Sequence, residues 1–172
     1  MASSDVVDRI VGQWRAERPD LDVSPMEVIG RVSRLSRLID RRLGENFAAH
    51  GIESWMYDVL ATLRRCGEPY ELSPGDLMRQ TMVTTGAITN RIDRLVERGL
   101  VERRHSETDR RRVIVRLTPD GLRLVDQVAP GHYELERDLL AGLSAPARRR
   151  LAASLRTVLL HLGDEAPVEG CH

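Results

Sequence analysis

The sequence predicts a mainly α chain carrying a small β-wing, a winged helix–turn–helix, and three observations over Leu72–Leu117 carry that prediction. First, Ser73-Pro74-Gly75-Asp76 is a helix-start signature, and the helical run it opens ends near Thr81. Second, after the polar turn Met82-Val83-Thr84, the run Thr85–Leu95 keeps helical spacing. Gly99 closes it, just past the last periodic residue, where a left-handed backbone satisfies free carbonyls. Third, two β-prone runs, Leu100–Arg104 and Val113–Leu117, flank a polar, charged tip, His105–Arg112.

The helix over 85–95 is amphipathic in a specific way. With Ile88 at zero and about 100° per residue, Ile92 and Leu95 fall beside it in a narrow apolar stripe. Gly86, Asn90 and Arg94 fall on the far side, flanked by Thr85 and Thr89. That face is small, hydrogen-bonding and cationic, as an ordinary solvated helix face also can be. It fits a DNA major groove, where Asn bonds adenine twice and Arg bonds guanine or phosphate.

The hairpin adds weight to the DNA reading. Its tip, Glu107-Thr108-Asp109-Arg110-Arg111-Arg112, presents consecutive arginines, which suit a narrow minor groove, and Asp109 can brace one of them. Ten arginines against five acids leave Arg79–Arg116 at +5, in a chain whose net charge is +0. Charge gathered on the one segment shaped for DNA is an electrostatic footprint.

These stretches resemble the core motif of MarR-type transcriptional regulators. The resemblance is carried by Ser73-Pro74-Gly75-Asp76-Leu77, Thr85–Leu95, Arg98-Gly99-Leu100-Val101-Glu102-Arg103, Asp109-Arg110-Arg111 and Leu117-Thr118-Pro119-Asp120-Gly121. It implies a homodimer with its winged lobes below helices from both termini, and repression of a nearby gene relieved by a ligand. Arg112 departs from the pattern, since the family often places a small residue after the Asp-Arg-Arg.

Taken from its start, the chain of 172 residues fits a single domain, with 1–50 and 118–172 as a helical dimerisation region and 54–117 as the DNA-binding lobe. With 3% aromatics, an aliphatic core is expected, and all 26 basic residues are arginine. No apolar run reaches the ~20 residues needed to cross a bilayer, and no secretory signal opens the chain. Cys66 and Cys171 lie far apart and give no disulfide framework, so a cytoplasmic protein is expected.

Ser4 and Asp5 open a first helix whose stripe Val6, Val7, Ile10, Val11 ends on Trp14, and Arg18-Pro19 stops it. Ser24-Pro25 begins a second, ending near His50-Gly51, with Met26, Ile29, Val32, Ile39, Leu43 and Phe47 buried and arginines opposite. Ser54 caps a third, Trp55–Cys66, in which Asp58 lies among apolar residues, either exposed or held against an arginine. After the wing, Thr118-Pro119 restarts helix, Pro130-Gly131 interrupts it, and Ser144 caps a last helix before a polar tail. The terminal stripes exceed what one small lobe covers. A two-fold dimer buries them and spaces two recognition helices by ~34–36 Å, one turn of an inverted-repeat operator.

Arg91 points to regulation. On the wheel it sits beside the apolar stripe, away from the DNA face, as a cation that needs a partner, with Asp58, Arg103 and Trp14 as candidates. Trp14, Asp58, Arg91 and Arg103 together resemble the effector site of the urate-responsive branch of the MarR family, which carries an extra N-terminal helix. A urate-like purine catabolite is thereby implied. Polycarboxylates such as citrate or aconitate, and phenolic acids, serve related regulators. A salt-bridged arginine with a packing tryptophan accounts for the same residues.

Enzyme chemistry finds no foothold: the five histidines have no metal-ligand spacing, and neither a phosphate-binding glycine loop nor a nucleophile elbow is present. No metal or cofactor is expected. A redox-sensing regulator acting through Cys66 is the alternative reading, with only Arg64 and Arg65 nearby to activate the thiol.

Overall fold

The computed structural model describes residues 4–81, 88–105 and 112–165. In chain order the elements are α1 (Val6–Glu17), α2 (Ser24–Ala49), α3 (Ser54–Arg65), β1 (Glu71–Leu72), α4 (Pro74–Gln80), α5 (Ile88–Glu97), β2 (Val101–His105), β3 (Val113–Leu117), α6 (Pro119–Leu139) and α7 (Ala145–His161). The chain divides into two compact units, residues 1–43 and 44–172.

The first unit is a helical pair. Asp5 caps α1, its carboxylate accepting from the Val7 and Asp8 amides in a capping box with Asp8. Arg31 of α2 pairs with Asp5 at 2.8 Å and with Asp8 at 2.5 Å, and Arg15 pairs with Glu27 at 2.6 Å. Gly30 lets the helices close: a Cβ there would meet Val7 at 3.2 Å. Val7 and Val11 are buried, whereas Val28, Ile29, Val32, Leu35 and Leu38 of α2 are exposed.

The second unit holds the predicted winged helix. β2 and β3 form the expected hairpin, with Val101 opposite Leu117 and His105 opposite Val113. A third strand, β1, pairs antiparallel with β3 and gives the order β1-β3-β2. Two residues are too short for a period-2 pattern, so the sequence carried no sign of it. Leu60, Leu63, Leu77, Ile92, Leu95, Val115, Val125 and Val128 form an aliphatic core. One aromatic cluster joins that core, against the expectation of a purely aliphatic one: the Phe47 and Tyr57 rings stack at 4.7 Å, and His132 lies 4.6 Å from Tyr57.

Helix ends follow their signals, with two corrections. Ser73, Thr118 and Ser144 cap α4, α6 and α7 as their sequences predict. Ser54 does not cap α3. It is the first helical residue, Glu53 holds the cap position, and the Glu53 carboxylate is engaged elsewhere. Nor is helix interrupted at Pro130, because α6 runs unbroken through it. α7 buries no residue, leaving Leu151, Leu155, Val158 and Leu159 exposed.

Candidate nucleic-acid interface

α5 is built to be rigid. Its apolar side buries Ile92 and Leu95. Its end is a left-handed cap: Gly99, at φ 67°, donates to the Val96 carbonyl at 2.8 Å, and Leu100 donates to the Leu95 carbonyl at 2.9 Å. Thr118 locks the next corner, donating from Oγ1 to the Gly99 carbonyl at 2.7 Å while accepting from the Gly121 amide at 3.1 Å. Gly121 itself is required there, since a Cβ would stand 2.0 Å from the Leu100 carbonyl oxygen.

Two arginines fasten α5 to its neighbours. Arg103 of β2 donates to the Asp93 carboxylate, and to the Thr89 carbonyl at 3.4 Å. The wing base is thus tied to α5 by a residue placed, from the sequence, in an effector site. Arg94 donates from Nη2 to Glu53 Oε1 at 2.6 Å, and its guanidinium lies 4.8 Å from the Trp55 ring centre. Trp55 donates from Nε1 to the same carboxylate at 2.9 Å. The Trp55 and Arg94 bonds together hold the Glu53 carboxyl below its ordinary range. Arg94 is therefore paired with the head of α3 while its side chain stays half exposed.

Of the residues predicted to meet DNA, Thr89 and Asn90 are exposed on α5, and Arg112 is exposed beside β3. Thr85, Gly86, Asp109, Arg110 and Arg111 lie outside the described residues.

Of the predicted effector set, Arg91 is half-buried, and its Nη1 is buried with no hydrogen-bond partner among the described residues. Its guanidinium stands 5.7 Å from the Trp55 ring centre. Trp55 thus collects both Arg91 and Arg94. In the sequence Trp55 reads only as an apolar residue, yet two arginines three positions apart on one helix are spaced to share a ring. Asp58 is half-buried on α3. Trp14 belongs to the first unit, where it is 45% exposed and lines an apolar hollow with Leu21, Val23 and Met26.

Cys66 follows α3 and is buried, its Sγ 3.7 Å from Gln80 Oε1. The expectation of no disulfide is corrected here: Cys66 is disulfide-bonded. Among the described residues no group of His, Cys, Asp or Glu is arranged to hold a metal, and no helix is long and apolar enough to cross a membrane.

Known proteins are similar to this chain. A model described as MarR family matches residues 50–112. The transcriptional regulator PecS of Dickeya dadantii is 45% identical over 156 residues, spanning 91% of this chain and 94% of PecS. A mutant MarR from E. coli, solved in complex with operator DNA, superposes with a TM-score of 0.68 at 27% identity, over 91% of this chain and 99% of that one. BpsR of Bordetella bronchiseptica, whose DNA binding is regulated by 6-hydroxynicotinic acid, superposes with a TM-score of 0.69 at 26% identity, over 76% and 91% of the two chains.

Proposed function

The chain belongs to the MarR family of DNA-binding transcriptional regulators, and on that premise we propose that it is a cytoplasmic repressor, without enzymatic activity, that binds an inverted-repeat operator as a homodimer and leaves it when a small anion binds. The observation that carries the DNA half is the bracing of α5. Thr89 and Asn90 are exposed on a helix that Arg103 ties to the wing and Glu53 ties to α3. A braced helix presents base-reading groups in fixed register, so affinity is not lost to ordering the reader on binding. Thr85, Gly86, Asp109, Arg110 and Arg111 extend the same contact surface in this proposal, with Arg112 adding charge at the wing. Arg94 acts by positioning α5, its charge being matched by Glu53.

The exposed apolar residues of α2, and separately those of α7, support a second copy as their cover. The Nη1 of Arg91, without a partner among the described residues, supports the anionic effector, because a buried guanidinium donor lacking an acceptor favours any ligand that supplies one. In this proposal a urate-like purine, or a polycarboxylate such as citrate or aconitate, takes that place. Trp14, Asp58 and Arg103 complete the proposed effector set, with Asp58 the carboxylate that an entering anion repels. The test is fluorescence anisotropy of a labelled inverted-repeat duplex with an organic-anion panel, run beside light scattering. A monomer with intact helicity, or operator binding that no anion relieves, would end the proposal.

A further inference from the structure

A second cleft, open to solvent, lies in the 44–172 unit between the α2–α3 turn and the C-terminal half of α5, with a volume of about 410 Å³. It shares no residue with the proposed effector set of Trp14, Asp58, Arg91 and Arg103. Ala48, Ile52 and Met56 form its apolar side, and Glu53, Arg94, Glu97 and Arg98 its charged side. That is the make-up of a small-molecule site, apolar walls with a few convergent polar groups.

Arg98 is the distinctive group. Its Nη1 donates to the Gly51 carbonyl at 3.0 Å and touches Met56 Sδ at 3.1 Å. Those contacts fix the guanidinium at the edge of the apolar wall, and its Nε and Nη2 have no hydrogen-bond partner among the described residues. A guanidinium offers five N–H donors in a planar fork, and its free edge matches one carboxylate. Arg94, one turn back on α5, has its Nη2 on Glu53 and adds a second cation to the rim.

The charges also set the ligand's valence. Two arginines and two glutamates leave the cleft neutral. One carboxylate suits the free edge of Arg98, whereas further charges would meet Glu53 and Glu97. We propose that this cleft binds a small monocarboxylate with an apolar body, the carboxylate on Arg98 and the body against Ile52 and Met56. Binding there draws on the contact that fastens α5 to the α2–α3 turn, so the site is placed to act on the DNA-reading helix.

Hexanoate is the probe. Met56 reports on the cleft directly, and methyl-labelled methionine gives one signal for each of the five methionines in the chain. The full-length protein should show a saturable shift of the Met56 methyl with a Kd of about 1 mM, and hexanol, lacking the charge, should bind at least about tenfold more weakly. Arg98→Gln should lose about tenfold in affinity for hexanoate, while Arg91→Ala keeps the response. Glu53→Gln, which releases Arg94, should tighten binding. It carries the test if Arg98→Gln melts early by circular dichroism. An unmoved Met56 signal, equal binding of hexanol, full affinity in Arg98→Gln, or unchanged affinity in Glu53→Gln would each overturn the site. A response abolished by Arg91→Ala would instead assign hexanoate to the proposed effector set and would overturn it equally.

Discussion

Arg94 and Glu53 join α5 to the head of α3 through a 2.6 Å bond between Nη2 and Oε1. Both side chains are about half exposed, so the pair itself adds only ~0–1 kcal/mol to stability. Its consequence for DNA is larger. A guanidinium already matched by a carboxylate releases little counterion when DNA arrives, whereas Arg112 is exposed. Replacing Arg112 with Ala should therefore lower the salt slope of operator binding by about one. Arg94→Ala should weaken binding with the slope nearly unchanged. A slope that falls by about one for Arg94→Ala would show that it contacts phosphate and that the Glu53 bond breaks on DNA.

Two glycines of α6 separate packing from propensity. A Cβ at Gly121 would stand 2.0 Å from the Leu100 carbonyl oxygen, which accepts the Thr118 amide at 3.2 Å. Backbone cannot swing aside as a side chain can, so Gly121→Ala should lose ~3 kcal/mol or more of stability. At Gly131 a Cβ meets nothing within 4 Å. Ala there should gain up to ~1 kcal/mol, since glycine is a poor helix former. Denaturant midpoints of the two variants check both signs. Equal effects would mean the tight corner relaxes.

The His132 imidazole is buried against Phe47 and Tyr57, and burial holds its pKa below the ordinary 6.5, outweighing the pull of Glu136 at 3.3 Å. Tyr57, in the same cluster and near Tyr133 and Glu136, is pushed up to about 12 by burial. With the folded pKa below the unfolded one, the unfolded chain takes up the proton first. The stability His132 contributes is complete above 6.5 and is lost as pH falls through the folded value. The melting temperature should fall as pH drops below about 6.5. His132→Phe should flatten that fall, and it removes Nδ1, which has no partner among the described residues. An identical fall in the variant would place the titration elsewhere.

The sequence made the helices and the hairpin legible because each had a periodic stripe and a local stop signal. The Gly99 cap of α5 and the bond from the Gly121 amide to Thr118 that caps α6 lie within five residues, and local rules find such contacts. Glu53 with Arg94 are forty-one positions apart, and Arg98 with Gly51 forty-seven, so no local pattern could pair them. The helical wheel put Arg94 on the polar face and could not show its bond to Glu53, for a related reason. It separates an apolar side from a polar one, but it does not say which polar residues meet another element and which meet solvent. Arg103 bonds Asp93, ten positions away across the α5–β2 corner, a pairing that no periodic pattern marks.

Arg91 supplies the remaining prediction. A buried guanidinium nitrogen without an acceptor is costly, and the Trp55 ring 5.7 Å away compensates only in part. An anion that bonds Nη1 removes that cost, and the affinity gained is largest in whichever conformation leaves the nitrogen accessible. If that conformation reads DNA poorly, ligand binding and DNA binding oppose each other. A hundredfold release requires the ligand to prefer it by about 2.7 kcal/mol. A charge-assisted hydrogen bond in a partly buried site supplies ~1.5–3 kcal/mol, so one such bond is nearly sufficient. Arg91→Ala removes the donor together with its burial cost. That variant should bind operator at least as well as the parent and no longer release it when the active anion is added. Reciprocity gives a second reading: saturating operator should weaken the anion's affinity in the parent by the same factor, and not in the variant. Anisotropy and calorimetry measure the two sides separately. Release that persists undiminished in Arg91→Ala, at unchanged anion affinity, would leave Arg91 as a cation packed on Trp55 with no part in the response.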